Sequence, residues 1–273
     1  MTTTKLSTNL SLLLNRYPFI KSFIFLVSGS ILVQGLNLLF IPVLAHLYGP
    51  SAFGIWATFI ALGFIASVAS FRYEIGIILA KSERISFHVF TIGMMLCVTI
   101  ASIYILIIHY FSSYIGYLIN LSDLKQLTLY LFLFIIGSGL YQLCIHWLIR
   151  KKAYASISFF RLLQPILIFI LQIFFYYYEF KEAGLIFGSS IGIILSSLIY
   201  FSYCLYFFPP SNGFAIHFKL LRSSFFHYKG FLLYTTPYTL AGQWYKSLTT
   251  FLITIHFGLE YTGMYSIANR LVI

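Results

Sequence analysis

Phe87-His-Val-Phe-Thr-Ile-Gly-Met-Met-Leu-Cys-Val-Thr-Ile-Ala-Ser-Ile-Tyr-Ile-Leu-Ile-Ile108 runs for 22 residues without an Asp, Glu, Lys or Arg. As an α-helix rising 1.5 Å per residue it reaches roughly 33 Å, the hydrocarbon thickness of a bilayer. The same ruler laid along the chain finds long apolar stretches at about 22–47, 53–79, 127–148, 157–178, 185–208 and 230–257. An eighth begins near 263 and reaches the last residue, 273. These runs are continuous, whereas the strands of a membrane barrel alternate over about ten residues, so the spans are expected to be helices. The predicted class is all-α: a polytopic membrane bundle.

Composition agrees. Of 273 residues, 60% are hydrophobic and 8% charged, against roughly 45–50% and 25% in soluble domains. A soluble enzyme, a disordered chain and a nucleic-acid-binding domain are set aside on these figures. The net charge of +11 comes from 17 basic and 6 acidic residues. With the N-terminus placed in the cytoplasm, thirteen of the basic residues fall at inner ends of spans, and only Lys125 and Lys181 in outer loops. The positive-inside rule therefore orients the chain, and the charge excess is mostly topology. Cys97, Cys144 and Cys204 lie far apart within apolar runs; they read as reduced packing residues, without a metal-ligand spacing.

The expected organisation is a cytoplasmic segment 1–21, holding a lead-in at 6–14, then a six-helix transmembrane bundle 22–208. A cytoplasmic connector 209–229 and the first part of a second bundle, 230–273, follow. Gly49-Pro50-Ser51 and Pro209-Pro210-Ser211-Asn212-Gly213 carry turn chemistry between spans.

A polar group inside a span is expensive unless it faces protein or water, so each is a candidate for function. On the seventh span Thr239, Gln243, Lys246 and Thr250 step by four, three and four onto one helical face. Lys246 lies too deep for easy snorkelling; it lines a hydrated cavity, pairs with an acid elsewhere, or reaches the outer interface. Ser30, Gln34 and Asn37 share a face of the first span, and Ser138, Gln142 and His146 a face of the fourth. Arg161, Gln164 and Gln172 share one on the fifth, beside Pro165. Such amides serve either as lumen groups or as interhelical hydrogen-bond glue. His146 is a candidate relay or a satisfied packing histidine. Arg72 and Glu74 are expected where the second span meets the cytoplasmic interface. Two residues apart on a helix, they should not face each other, so each is expected to find a partner elsewhere; they serve either in gating or ion coupling or as interfacial anchors. Gly184, Gly188 and Gly192 should admit a neighbouring helix closely, and Pro42, Pro165 and Pro237 should bend their spans. The chain holds no nucleotide-binding loop, nucleophile elbow or zinc-protease motif. No catalytic residue, metal or cofactor is expected.

Several stretches resemble one family in order along the chain. Tyr48-Gly-Pro-Ser-Ala-Phe-Gly-Ile-Trp-Ala57 resembles the entry to the second helix of bacterial polysaccharide flippases, the O-antigen and capsule repeat-unit translocases of the multidrug/oligosaccharidyl-lipid/polysaccharide exporter superfamily. Arg72-Tyr-Glu-Ile-Gly-Ile-Ile-Leu-Ala-Lys-Ser82 is similar to the close of that helix. Leu148-Ile-Arg-Lys-Lys-Ala-Tyr154 with Arg161-Leu-Leu-Gln164, Gly184-Leu-Ile-Phe-Gly188, and Phe257-Gly-Leu-Glu-Tyr-Thr-Gly-Met-Tyr-Ser-Ile-Ala-Asn-Arg270 resemble later loops and helix starts. The resemblance implies two helical bundles flanking a cavity that opens alternately to cytoplasm and periplasm, in the architecture shared with the multidrug exporters. It implies an undecaprenyl-diphosphate-linked oligosaccharide as substrate, the bacterial inner membrane as location, and polysaccharide polymerase machinery as a partner besides the lipid bilayer. Family members hold more spans than this chain, so the resemblance also implies a truncation inside the second bundle. Another exporter of the superfamily, for drugs or lipid precursors, and a membrane-embedded polymerase or ligase are the alternative readings.

Overall fold

The computed structural model describes residues 18–119, 121, 124–178, 180, 183–210 and 216–272, with side chains at residue 27 and, within these ranges, from 29 to 271. The expected lead-in at 6–14, the charges Lys5, Arg16, Asp123, Glu179, Lys181 and Glu182, and the turn residues 211–213 lie outside these. The described residues are helical, without a strand among them.

Among the described residues five stretches are long and apolar enough to cross a membrane: Gly29–Leu79, Glu83–Tyr110, Leu124–Arg150, Tyr154–Tyr177 and Gly184–Phe207. The first has 51 residues, which would be roughly 77 Å as one straight helix, more than twice the hydrocarbon thickness. It reverses instead. Helix α1 (Pro18–Leu62) is interrupted at Gly49, whose φ of 76° and ψ of 171° are non-helical, a left-handed turn that glycine adopts without steric penalty. The arm 29–48 runs beside α6 (Tyr154–Tyr177) in the same direction. A Cβ on Gly29 would touch Ser158, Phe40 stacks on Phe169, and the Tyr48 hydroxyl donates to the Gln172 carbonyl. The chain then returns antiparallel to α3 (Glu83–Tyr110), with Tyr104 donating to the Leu62 carbonyl and Ser86 donating to the Ile77 carbonyl.

The return pass is not the single helix expected over 53–79. It continues as a 3-10 turn (Gly63–Val68), breaks at Phe71 and Arg72, both left-handed with φ of 50° and 60°, and resumes as α2 (Tyr73–Leu79). Left-handed backbone in two successive non-glycine residues is strained, and this strain sits inside the bundle. Arg150 closes the far end of α2, one guanidinium nitrogen donating to the carbonyls of Ile77, Ile78 and Ala80 at 2.8–3.1 Å.

After a short helix α4 (Ser112–Leu118), α5 (Leu124–Arg150), α6 and α7 (Gly184–Phe207) complete the packed body. The expected close approach at the small-residue ladder is present: a Cβ on Gly188 would lie 2.7 Å from the Gln172 backbone nitrogen, and one on Gly192 2.9 Å from the Ile168 Cα. Two cores result, one around Phe53, Phe59, Leu131 and Ile135 and another around Tyr73, Leu143, Leu148 and Tyr200. In lipid such cores are held by dispersion and shape more than by water exclusion. The three cysteines are buried and free, as expected.

The connector holds a helix of its own, α8 (Phe218–His227). A π turn (Phe231–Thr235) leads into α9 (Thr236–Phe257), and α10 (Leu259–Val272) follows. The expected seventh span is long enough at 22 residues, but it is not among the five apolar helices, because Thr239, Gln243, Lys246, Ser247 and Thr250 dilute it. Pro237 follows the π turn directly, within a continuous helical run, where its missing N–H removes a helical bond.

The pair α9–α10 repeats the geometry of α1 at an offset of 209. Gly258 (φ 87°) matches Gly49 (φ 76°) as the reversal point. Five residues on, Gly54 and Gly263 make a reciprocal contact: a Cβ on Gly54 would collide with the Leu259 carbonyl, and one on Gly263 with the Pro50 carbonyl. Pro50 and Leu259 are themselves equivalent positions, so the two arms cross about an approximate two-fold axis with their backbones touching. The polar stripes coincide as well: Ser30 maps to Thr239, Gln34 to Gln243 and Asn37 to Lys246.

Candidate functional site

Polar side chains of three helices meet in a cavity of about 730 Å³. The arm 29–48 contributes Ser30, Gln34 and Asn37, α5 contributes Gln142 and His146, and α6 contributes Arg161 and Gln164. Each stripe is continuous because its residues step by three or four along a helix, and Pro165 and Ile168 complete the α6 wall. An Arg161 guanidinium nitrogen lies 3.4 Å from the Ser30 hydroxyl. His146 holds its Nδ1 against the Gln142 carbonyl at 2.8 Å. No carboxylate lines this cavity, and Arg161 has no acidic partner among the described residues. A fixed cation without a counter-ion in low dielectric favours an anionic occupant.

Gln243 and Lys246 line a second cavity of about 410 Å³, with Ser247 and Thr250 of α9 and Ser266, Asn269 and Arg270 of α10. Ala57, Ala61, Phe64 and Phe134 also border it. Thr239, on the same stripe, satisfies its hydroxyl on the Thr235 carbonyl and does not line it. Here too no acid is present, while two cations are.

A third space of about 310 Å³ links them: it shares Gln34, Asn37, Pro165 and Ile168 with the first cavity and Arg270 with the second. Arg270 lies over the Trp56 ring, 3.8 Å from its centre, a desolvated cation–π contact. The ring is held by the indole N–H, which donates to the Ser189 hydroxyl at 2.8 Å. Ser189 also accepts from Gln172 Nε2 at 3.0 Å. Gln172 is thus a buried packing amide that ties α6 to α7, although it lies on the same stripe as Arg161 and Gln164. Sequence reasoning did not single out Arg270 or Trp56. The signal was available for Arg270, a cation within an apolar run.

Arg72 and Glu74 depart from expectation. Glu74 is 1% exposed and lies within the bundle, between the levels of the Gly76–Val89 and Ala69–Cys97–Gly139 contacts. The two residues do pair, Arg72 Nη1 to Glu74 Oε1 at 3.3 Å. The rule that neighbours two apart diverge applies to a helix, and Arg72 lies in the left-handed break just before α2. Ser70 donates to the other carboxylate oxygen, while the Arg72 Nε is buried without a hydrogen-bond partner. Neither residue lines the three cavities; of the coupling candidates, only His146 does. Among the described residues no group of His, Cys, Asp and Glu could hold a metal ion.

No protein-family model matches the chain, and no curated protein or solved structure is significantly similar to it.

Proposed function

We propose that the chain translocates a lipid-linked, negatively charged oligosaccharide across a bacterial inner membrane, as the resemblance to polysaccharide flippases implies. The observation that supports this most is the meeting of Gln34, Asn37, Gln142, Arg161 and Gln164, from three helices, around one large cavity without an acid. A diphosphate bearing sugars cannot cross about 30 Å of hydrocarbon unaided. A lumen with a fixed cation for the diphosphate and amides for the hydroxyls lowers that barrier while the polyprenyl tail stays in lipid. Lys246 and Arg270 extend the cationic lining, and the reversal glycines and the broken return pass supply places to bend. The buried Arg72–Glu74 pair and His146 are the groups available for ion coupling. The basic ends of α3, α5 and α8 mark the cytoplasmic side under the positive-inside rule.

The test is reconstitution into vesicles with a fluorescent undecaprenyl-diphosphate oligosaccharide, scored by protection from an impermeant quencher. Removing one charge-assisted contact worth about 1.5–3 kcal/mol should lower the rate roughly ten- to a hundredfold in Arg161→Ala or Lys246→Ala. A drug cation should not compete. Unchanged rates in both variants would remove the cavity from the mechanism.

A further inference from the structure

Helix α8 presents a face that the transport reading leaves unused. Its sequence, with flanks, is Ile216-His-Phe-Lys-Leu-Leu-Arg-Ser-Ser-Phe-Phe-His-Tyr-Lys229, without an acidic residue. One side is anchored to the end of the bundle. Tyr73 stacks on Phe225 at 5.7 Å and donates to its carbonyl at 2.9 Å, Ser224 and Tyr228 are buried, and the His217 N–H donates to His88 Nε2 at 3.1 Å. An adjoining side is bare. Phe218, Arg222 and Phe226 follow one another at i, i+4 and i+8, with Phe218 78% and Phe226 55% exposed. Lys219 and Lys229 flank them, also exposed. None of the three cations has an acidic partner among the described residues.

Aromatic rings and cations interleaved on one exposed face suit neither water nor hydrocarbon alone; they suit the boundary between them. The helix packs at the ends of apolar helices, against Tyr73 of α2 and His88 near the start of α3. It follows α7, whose end is fixed by Trp147 donating to the Phe208 carbonyl, and it precedes α9. We infer that α8 is a docking face for anionic phospholipid headgroups of the surrounding leaflet. The phenyl rings of Phe218 and Phe226 enter the acyl boundary, and Lys219, Arg222 and Lys229 meet the headgroup phosphates. The inference requires membrane insertion only, and holds whether or not the chain transports anything.

Ser223 is exposed on this helix and the native cysteines are buried, so Ser223→Cys can carry a bimane label alone. The labelled full chain goes into vesicles of equal parts phosphatidylglycerol and phosphatidylcholine, with bromine on one lipid or the other. Brominated phosphatidylglycerol should quench about twice as strongly or more, since each cation near an anionic surface raises occupancy roughly fivefold. That preference should vanish in K219Q/R222Q/K229Q and shrink in R222Q alone. It should also fall at 1 M salt, where the screening length is about 3 Å. F218S/F226S should lower quenching by both lipids. Equal quenching by the two lipids overturns the inference. So does emission typical of water without quenching, which would assign the face to solvent or to another protein.

Discussion

The arm pair of α1 and the pair α9–α10 share one geometry and differ in chemistry. Both reverse at a glycine with positive φ, and both touch the other's backbone through a second glycine five residues later. In the first copy, Leu44, Phe53 and Phe59 are buried in a core, and Asn37 and Ala61 stand where the second copy has Lys246 and Arg270. In the second copy Tyr238, Trp244 and Tyr245 are exposed, and two cations face a cavity. The glycines specify the path; the residues twelve positions before and after the reversal glycine specify charge. A repeat can thus keep a fold while one copy lines its cavity with uncharged polar groups and the other with cations.

The crossing is the place to break that comparison hardest. Gly54→Val and Gly263→Val each push a side chain into backbone that cannot move aside, so each should destabilise by about 3 kcal/mol, the upper range for overpacking. The measure is loss of helicity on titration with a denaturing detergent. Because the contact is reciprocal, the two losses should agree. Gly35→Ala, with open space around it, is the neutral control, and tolerance at either crossing glycine would deny the two-fold arrangement.

The asymmetric substitutions come next. Trp56→Leu and Arg270→Gln should show a coupling of about 1–2 kcal/mol in a double-mutant cycle, since the ring and the guanidinium are in desolvated contact. Zero coupling would separate the second cavity from the linking space. The smallest effect belongs to the reversal points. Gly49→Ala and Gly258→Ala meet no neighbour within 4 Å, so only backbone strain at positive φ remains, about 1 kcal/mol each in the same titration. A large difference between them would show that one reversal bears load the other does not.

Much of this was legible beforehand, for a definite reason. A bilayer demands long apolar helices, so the first six passes could be measured off the sequence, and polar residues within them had to face protein or water. That reasoning named Gln34, Asn37, Gln142, Arg161, Gln164, Gln243 and Lys246 as candidates for one shared lumen; the first five line one cavity and Gln243 and Lys246 another. It could not separate Gln164 from Gln172: which amide faces a lumen depends on how tightly Gly188 brings α7 against α6. The break at 69–72 was hidden because Ala69, Ser70, Phe71 and Arg72 carry no strong helix breaker, and tertiary contacts impose the left-handed turns. Missing the break denied Glu74 its partner Arg72. The seventh span failed on apolarity, for the same polar stripe that made it interesting. The 209-residue repeat keeps little identity beyond Gln34/Gln243, Gly49/Gly258 and Gly54/Gly263, yet comparing the chain with itself at that offset would have found it.

The central claim is that the polar stripes border water. In vesicles, Gln34→Cys, Gln164→Cys and Lys246→Cys should each react with a small membrane-impermeant thiol reagent, against a background of buried native cysteines. Leu106→Cys, on the bare face of α3 at 69% exposure, should stay unlabelled in lipid. Labelling at the three polar positions and silence at Leu106 is the expected result; three polar positions as unreactive as Leu106 would contradict a wet passage.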